Sequence, residues 1–133
     1  MWIFTKVGFF SIVQKPSNSP DELTVRARVR SDLAALAAGL PQGSCSEIQE
    51  TDRSDYPYRC VVNRAELAAW LSDQVTDGVN YPNFKDEILR RQGPFRASIY
   101  HDVWATLLAL VGADKSLADF RRRFPLRSMR FPS

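Results

Sequence analysis

The chain is poor in the residues that most often carry chemistry. It has one histidine, His101, and two cysteines, Cys45 and Cys60, among 133 residues. The cysteines lack the CxxC spacing of a zinc or dithiol site and read as free thiols. There is no phosphate-cradling GxxxxGK[ST] loop and no GxGxxG fingerprint, and the six glycines are scattered at expected turns and helix ends. Asp52 and Asp55 flank Ser54, and Asp73 and Asp77 lie one helical turn apart. Neither pair has the histidine or third carboxylate that would complete a ligand set, so no metal or cofactor is expected. Long apolar runs are also missing. The uncharged stretch from Val7 to Gln14 has no basic region before it and no small-residue cleavage site after it, so it does not read as a signal peptide. No run approaches the roughly 20 apolar residues of a membrane helix, and the expected location is the cytoplasm. The charge excess is small as well: 18 Lys and Arg against 15 Asp and Glu, net +3, too little alone to announce a nucleic-acid partner.

What remains is an ordinary globular composition, 44% apolar and 25% charged, at a length suited to one core. Trp2 to Val13 is rich in aromatic and β-branched residues and reads as a strand bent at Gly8, closed by the turn residues Lys15 to Pro20. Leu23, Val25, Ala27 and Val29 alternate with Thr24, Arg26, Arg28 and Arg30, the period of a half-buried strand. Ser31 or Asp32 is the expected N-cap of a helix with Leu33, Leu36, Ala37 and Leu40 on one stripe. A weaker strand over Glu47 to Thr51 and an alternating one over Tyr56 to Val62 follow. Asn63 to Glu66 has capping-box spacing before a helix carrying Leu67, Trp70, Leu71 and Val75.

Val25-Arg26-Ala27 matches Tyr58-Arg59-Cys60, and Leu33-Ala34-Ala35-Leu36 matches Leu67-Ala68-Ala69-Trp70, which suggests a duplicated ββα unit. A short helix from Phe84, halted at Gly93-Pro94, and a longer one from Phe95 to Val111 complete the pattern. The expected fold is α+β: a two-layer sandwich whose antiparallel sheet has about four strands, with helices on one face and an additional C-terminal helix. Residues 1–117 form the expected domain, and 118–133 an arginine-rich tail without any period.

Met1-Trp2-Ile3-Phe4-Thr5, Gly8-Phe9-Phe10-Ser11, Leu23-Thr24-Val25-Arg26, Tyr56-Pro57-Tyr58-Arg59, Asn83-Phe84-Lys85 and Tyr100-His101-Asp102-Val103-Trp104 together support a resemblance. The chain resembles a family of small uncharacterised bacterial proteins that begin in this way, and the similarity runs to about Leu110. The resemblance implies a compact fold and a bacterial, cytoplasmic origin, and transfers no catalytic residue.

Two basic features stand out. Arg26, Arg28 and Arg30 are expected on one sheet face, joined by Arg59 from the matching strand, with Ile3, Thr5, Val7 and Phe9 beside them. Arginines beside aromatic rings on an open sheet are the equipment on which single-stranded nucleic acid stacks. The competing reading is a solvated face whose arginines pair with Glu47, Gln49 or Asp52. The stretch from Lys6 to Val13 is similar to the RNA-recognition octamer apart from one inserted residue, but the ββα order does not fit that fold. In the tail, Arg121, Arg122, Arg123, Arg127 and Arg130 are interleaved with Phe120, Phe124 and Phe131, which suits a nucleic-acid arm or a contact with a second subunit. His101 has Asp102 as its sequence neighbour, but adjacent helical residues diverge by about 100°, which argues against a triad.

The leading expectation is therefore a non-enzymatic binding module with RNA or DNA as its partner. One alternative is a protein-interaction or homo-oligomeric regulatory accessory protein, and another is a small hydrolase or nuclease using His101.

Overall fold

The computed structural model describes residues 1–112 together with Arg122. They fall into two units, one from Met1 to Tyr81 and one beginning at Pro82.

The first unit is a five-stranded antiparallel sheet with two helices. Its strands are β1 (Trp2–Phe4), β2 (Phe9–Val13), β3 (Glu22–Ala27), β4 (Gln49–Glu50) and β5 (Tyr58–Asn63), in the spatial order β1-β2-β3-β5-β4. The fifth strand arises because the first apolar stretch is a hairpin and not one bent strand. Thr5 turns the chain: its N–H donates to the Gly8 carbonyl at 2.9 Å, and its hydroxyl accepts from the Val7 and Gly8 amides. Gly8 is required there, since a Cβ would lie 2.4 Å from the Asp32 carboxyl carbon.

Helix α1 (Arg30–Ala38) follows β3, and α2 (Arg64–Thr76) follows β5. Both bury their apolar stripes against the same sheet face. Phe10, Ile12, Val25, Ala27, Cys60 and Val62 meet Leu33, Leu36, Leu40, Leu67 and Trp70 in one core. Each large side chain fully buried here contributes about 1.5–3 kcal/mol. The expected cap of α2 is present, the Asn63 side chain accepting from the Glu66 amide at 3.1 Å. That of α1 is not. Val29 occupies the N-cap position without a side-chain bond, and the buried Asp32 carboxylate instead accepts the Phe9 amide at 3.1 Å, tying helix to hairpin.

The matching segments take related places. β2-β3-α1 and β4-β5-α2 lie on either side of the central β3/β5 pair, where Val25 faces Cys60, Arg26 faces Arg59 and Ala27 faces Tyr58. Each arginine is thus opposite its own counterpart, as a local two-fold axis between them requires. The counterparts Leu33 and Leu67, and Leu36 and Trp70, are all buried. Cys45 pairs with Val62 beyond β5 and packs on the core. Burial, reinforced by a hydrogen bond with Cys45, pushes the Cys60 thiol well above its ordinary range.

In the second unit, α3 (Phe84–Leu107) is broken at Gly93, whose φ of 87° and ψ of 172° only glycine adopts readily. The segments before and after it run back along one another: Phe84 stacks on Tyr100 at 6.0 Å. Sixteen residues of straight helix would separate those rings by about 24 Å. A 3₁₀ turn, Leu108–Gly112, closes the described part. The Asn83 side chain caps the first segment through the Asp86 amide. Among the described residues no helix is long and apolar enough to cross a membrane.

Glu87, buried at 7% exposure, pairs with Arg91 and with Arg90, the latter at 2.7 Å. The hydrogen bond from Arg91 leads in holding its carboxyl below the ordinary 4.5, against an opposing effect of desolvation. A depressed folded-state value gives stability that is complete above the unfolded value and is lost as pH falls through the folded one. Thermal melting of the wild type is expected to fall with pH below 4.5, and Glu87→Gln to flatten that dependence. An unchanged slope in the variant would show that Glu87 contributes nothing to it.

Candidate functional site

The sheet face opposite the helices is built by a row of residues in register: Trp2 beside Ser11, Ser11 beside Arg26, Arg26 beside Arg59, and Arg59 beside Gln49. Because successive strand residues alternate faces, the register that buries Val25, Ala27, Cys60 and Val62 necessarily turns Arg26 and Arg59 outward. At a spacing of 4.7–4.9 Å per strand, the row spans about 19 Å.

Aromatic rings collect at one end. Phe4 stacks on Phe9 at 4.5 Å, Trp2 meets Phe9 edge-on at 6.4 Å, and Phe9 lies 6.4 Å from Tyr56. Trp2 is 72% exposed and presents its indole to solvent. Tyr56, by contrast, is buried beneath guanidinium groups, with Arg26 4.7 Å and Arg28 4.8 Å from its ring centre. Arg28 also lies 5.9 Å from Phe9.

The arginines are held by neutral groups. Arg26 donates to the Ser11 hydroxyl at 2.8 Å, Arg28 to the Asp55 carbonyl at 3.1 Å, and Arg59 to the Ser54 hydroxyl and the Tyr56 carbonyl. Among the described residues no carboxylate forms an ion pair with any of the three. The expected pairing with Glu47 or Asp52 is not made, and Gln49, opposite Arg59 in register, is neutral. Three polar atoms here, Arg26 Nε, Arg59 Nε and the Tyr56 hydroxyl, are buried without a hydrogen-bond partner among the described residues. Beyond Arg59 the face continues into an open pocket of about 470 Å³ bordered by Lys15, Ser17, Thr24, Gln49 and Arg59.

Several expected positions differ. Neither Arg28 nor Arg30 is on the strand: β3 ends at Ala27, Arg28 follows in a bend with its guanidinium still at the Tyr56 and Phe9 rings, and Arg30 opens α1, exposed. Val29 is exposed and not under a helix, for the same reason. Ile3 and Val7, expected beside the arginines, pack on the core side, because the Thr5–Gly8 turn reverses the chain and hands the open face to Trp2, Phe4 and Phe9. Arg122 is exposed, while Arg121, Arg123, Arg127 and Arg130 lie outside the described residues. Sequence reading missed Trp2, Phe4, Tyr56 and Lys15 as members of the face. The hairpin turn that groups the first two has only Thr5 and Gly8 as its signal.

His101 stacks on Trp104 at 5.4 Å, and its Nδ1 lies 3.4 Å from the Lys85 ammonium, which itself sits 4.3 Å above the Trp104 ring. Among the described residues no cluster of three or more His, Cys, Asp or Glu is placed to hold a metal. No protein family, curated protein or solved structure matches this chain.

The Tyr56 ring holds the face together while its hydroxyl bonds to nothing. Tyr56→Phe is therefore expected to leave stability unchanged or raise it slightly, whereas Tyr56→Ala costs about 3–5 kcal/mol in denaturant unfolding. A large loss in the phenylalanine variant would reveal a partner for the hydroxyl.

Proposed function

We propose that the open sheet face binds single-stranded nucleic acid, with Arg26, Arg28 and Arg59 engaging phosphates and Trp2 and Phe9 stacking on bases. The observation that carries this reading is the set of three guanidinium groups without carboxylate partners among the described residues, set beside the half-buried Phe9 ring and on the same face as the exposed Trp2. A strand laid along the row meets stacking surface at the β1 end and cationic surface at the centre, the combination used by proteins that bind single strands with little sequence preference. Duplex is a poorer fit, because the face is a sheet surface and offers no helix or two-stranded ribbon to a groove.

Binding of a fluorescent single-stranded oligonucleotide, followed by anisotropy between about 50 and 200 mM salt, tests the reading. Affinity should fall steeply with salt, and Arg26→Ala, Arg28→Ala and Arg59→Ala should each reduce the logarithmic slope by about 0.7, one phosphate's share for a single strand. Trp2→Ala should weaken binding by about 1–3 kcal/mol while leaving the slope alone. Failure of both RNA and DNA strands to bind at low salt would refute the assignment.

A second reading, a protein-interaction or oligomeric accessory role, is favoured by apolar side chains on α3: Phe95 is 81% exposed, and Ile99 and Leu107 are exposed with it. Light scattering across a concentration series is expected, on this reading, to give a mass above the monomer that Phe95→Asp returns to the monomer. A monomeric wild type excludes self-association.

A further inference from the structure

The pocket beyond Arg59 differs from the rest of the face. It carries two cations, Lys15 and Arg59, with the Ser17 hydroxyl and the Gln49 amide between the β2–β3 loop and β4, and among the described residues no carboxylate borders it. Its loop wall is braced. The Asn18 carboxamide oxygen accepts from the Lys15 amide at 2.7 Å and from the buried Thr24 hydroxyl at 2.9 Å, and the Asn18 amide returns a bond to the Lys15 carbonyl. Asn18 thus pins the loop to the sheet and fixes where the Lys15 side chain starts. On the opposite side the Arg59 guanidinium is held by its bonds to the Ser54 hydroxyl and the Tyr56 carbonyl, which fixes where its charge sits.

We infer that this pocket takes the terminal phosphate monoester of the bound strand, an assignment that rests on the proposed single-strand face. The charge match distinguishes an end from an interior. An internal phosphodiester carries one negative charge, which one arginine of the row satisfies, whereas a phosphate monoester carries about 1.5–2 near neutral pH and three strong acceptor oxygens. Lys15 and Arg59 supply two positive charges, and Ser17 and Gln49 add neutral donors. Position agrees. The pocket lies on the same face beside the β3–β5–β4 part of the row, offset along the strands past Thr24 and Val61 toward the pinned loop, so a strand running from the aromatic edge across Arg26 and Arg59 reaches it last and is stopped by that loop.

The experiment compares one oligonucleotide sequence with a 5′-phosphate, with a 3′-phosphate, or with hydroxyls at both ends, each titrated against the full chain. One phosphorylated form should bind roughly ten-fold or more tightly than the hydroxyl form, the scale of hydrogen bonds to a charged group, and which form does so gives the direction of the strand. Lys15→Ala should abolish that preference and leave affinity for the hydroxyl form within about two-fold, since the contacts of the row remain, whereas Lys15→Arg should retain it. Equal affinity for all three forms overturns the pocket assignment and leaves the face standing. A preference that survives Lys15→Ala also overturns it, and absence of binding by every form removes face and pocket together.

Discussion

The β3/β5 pairing sets Arg26 directly opposite Arg59, and most of the open face follows from that one register. Like charges facing each other across strands are destabilising, by a few tenths to about 1 kcal/mol. Here the cost is met by neutral partners. Ser11 takes one guanidinium, Ser54 and the Tyr56 carbonyl take the other, and the Tyr56 ring lies beneath Arg26. A residue slip would bring the arginines into the core and turn Val25 and Cys60 to solvent, so the buried face locks the charged one in place.

The same register explains the fold's near symmetry. With Arg26 and Arg59 as counterparts at the centre, each flanking strand and each following helix finds an equivalent, and two helices cover one face of one sheet. β1 breaks the symmetry. Among the described residues it has no counterpart beyond β4, and it brings Trp2 and Phe4 to one edge. The face therefore has a direction, aromatic at the β1 edge and cationic toward β5, which a strictly duplicated unit would lack.

Much of this was legible in the sequence, for reasons that can be named. Alternation over Leu23 to Arg28 specified which side chains face the helices, Asn63 to Glu66 marked the start of α2, and Gly93-Pro94 marked the break in α3. Arg30 was misplaced because strict alternation runs on past Ala27 in sequence, while the backbone at Val29 already turns into α1. Periodicity reports which residue types alternate and not where hydrogen bonding stops. The Thr5–Gly8 turn escaped notice because its bonds come from a threonine hydroxyl and not from an Asn-Gly or Pro-Gly pair. Asp32 read as a cap because its use lies 23 residues away, at the Phe9 amide. The pocket was invisible, since Lys15, Gln49 and Arg59 meet only through the sheet order.

Energetics separate the two faces further. On the helix side the core is made of apolar side chains, eleven of them buried, and the structure gains from each. On the open side the gains are small. A guanidinium over a ring contributes about 0.5–2 kcal/mol, and a bond to a neutral hydroxyl about 1 kcal/mol. Against them stand two buried guanidinium nitrogens and a buried phenol without partners, each costing about 1–3 kcal/mol. Serine, threonine or valine at positions 26 and 59 would avoid the cost of the two guanidinium nitrogens and the repulsion between the arginines while keeping the strand pattern. Stability alone therefore gives no reason for arginine at both positions. An anion laid across the face would change that balance: it would accept from the remaining N–H groups of guanidinium heads already held in place by Ser11, Ser54 and Tyr56, and would screen one guanidinium from the other.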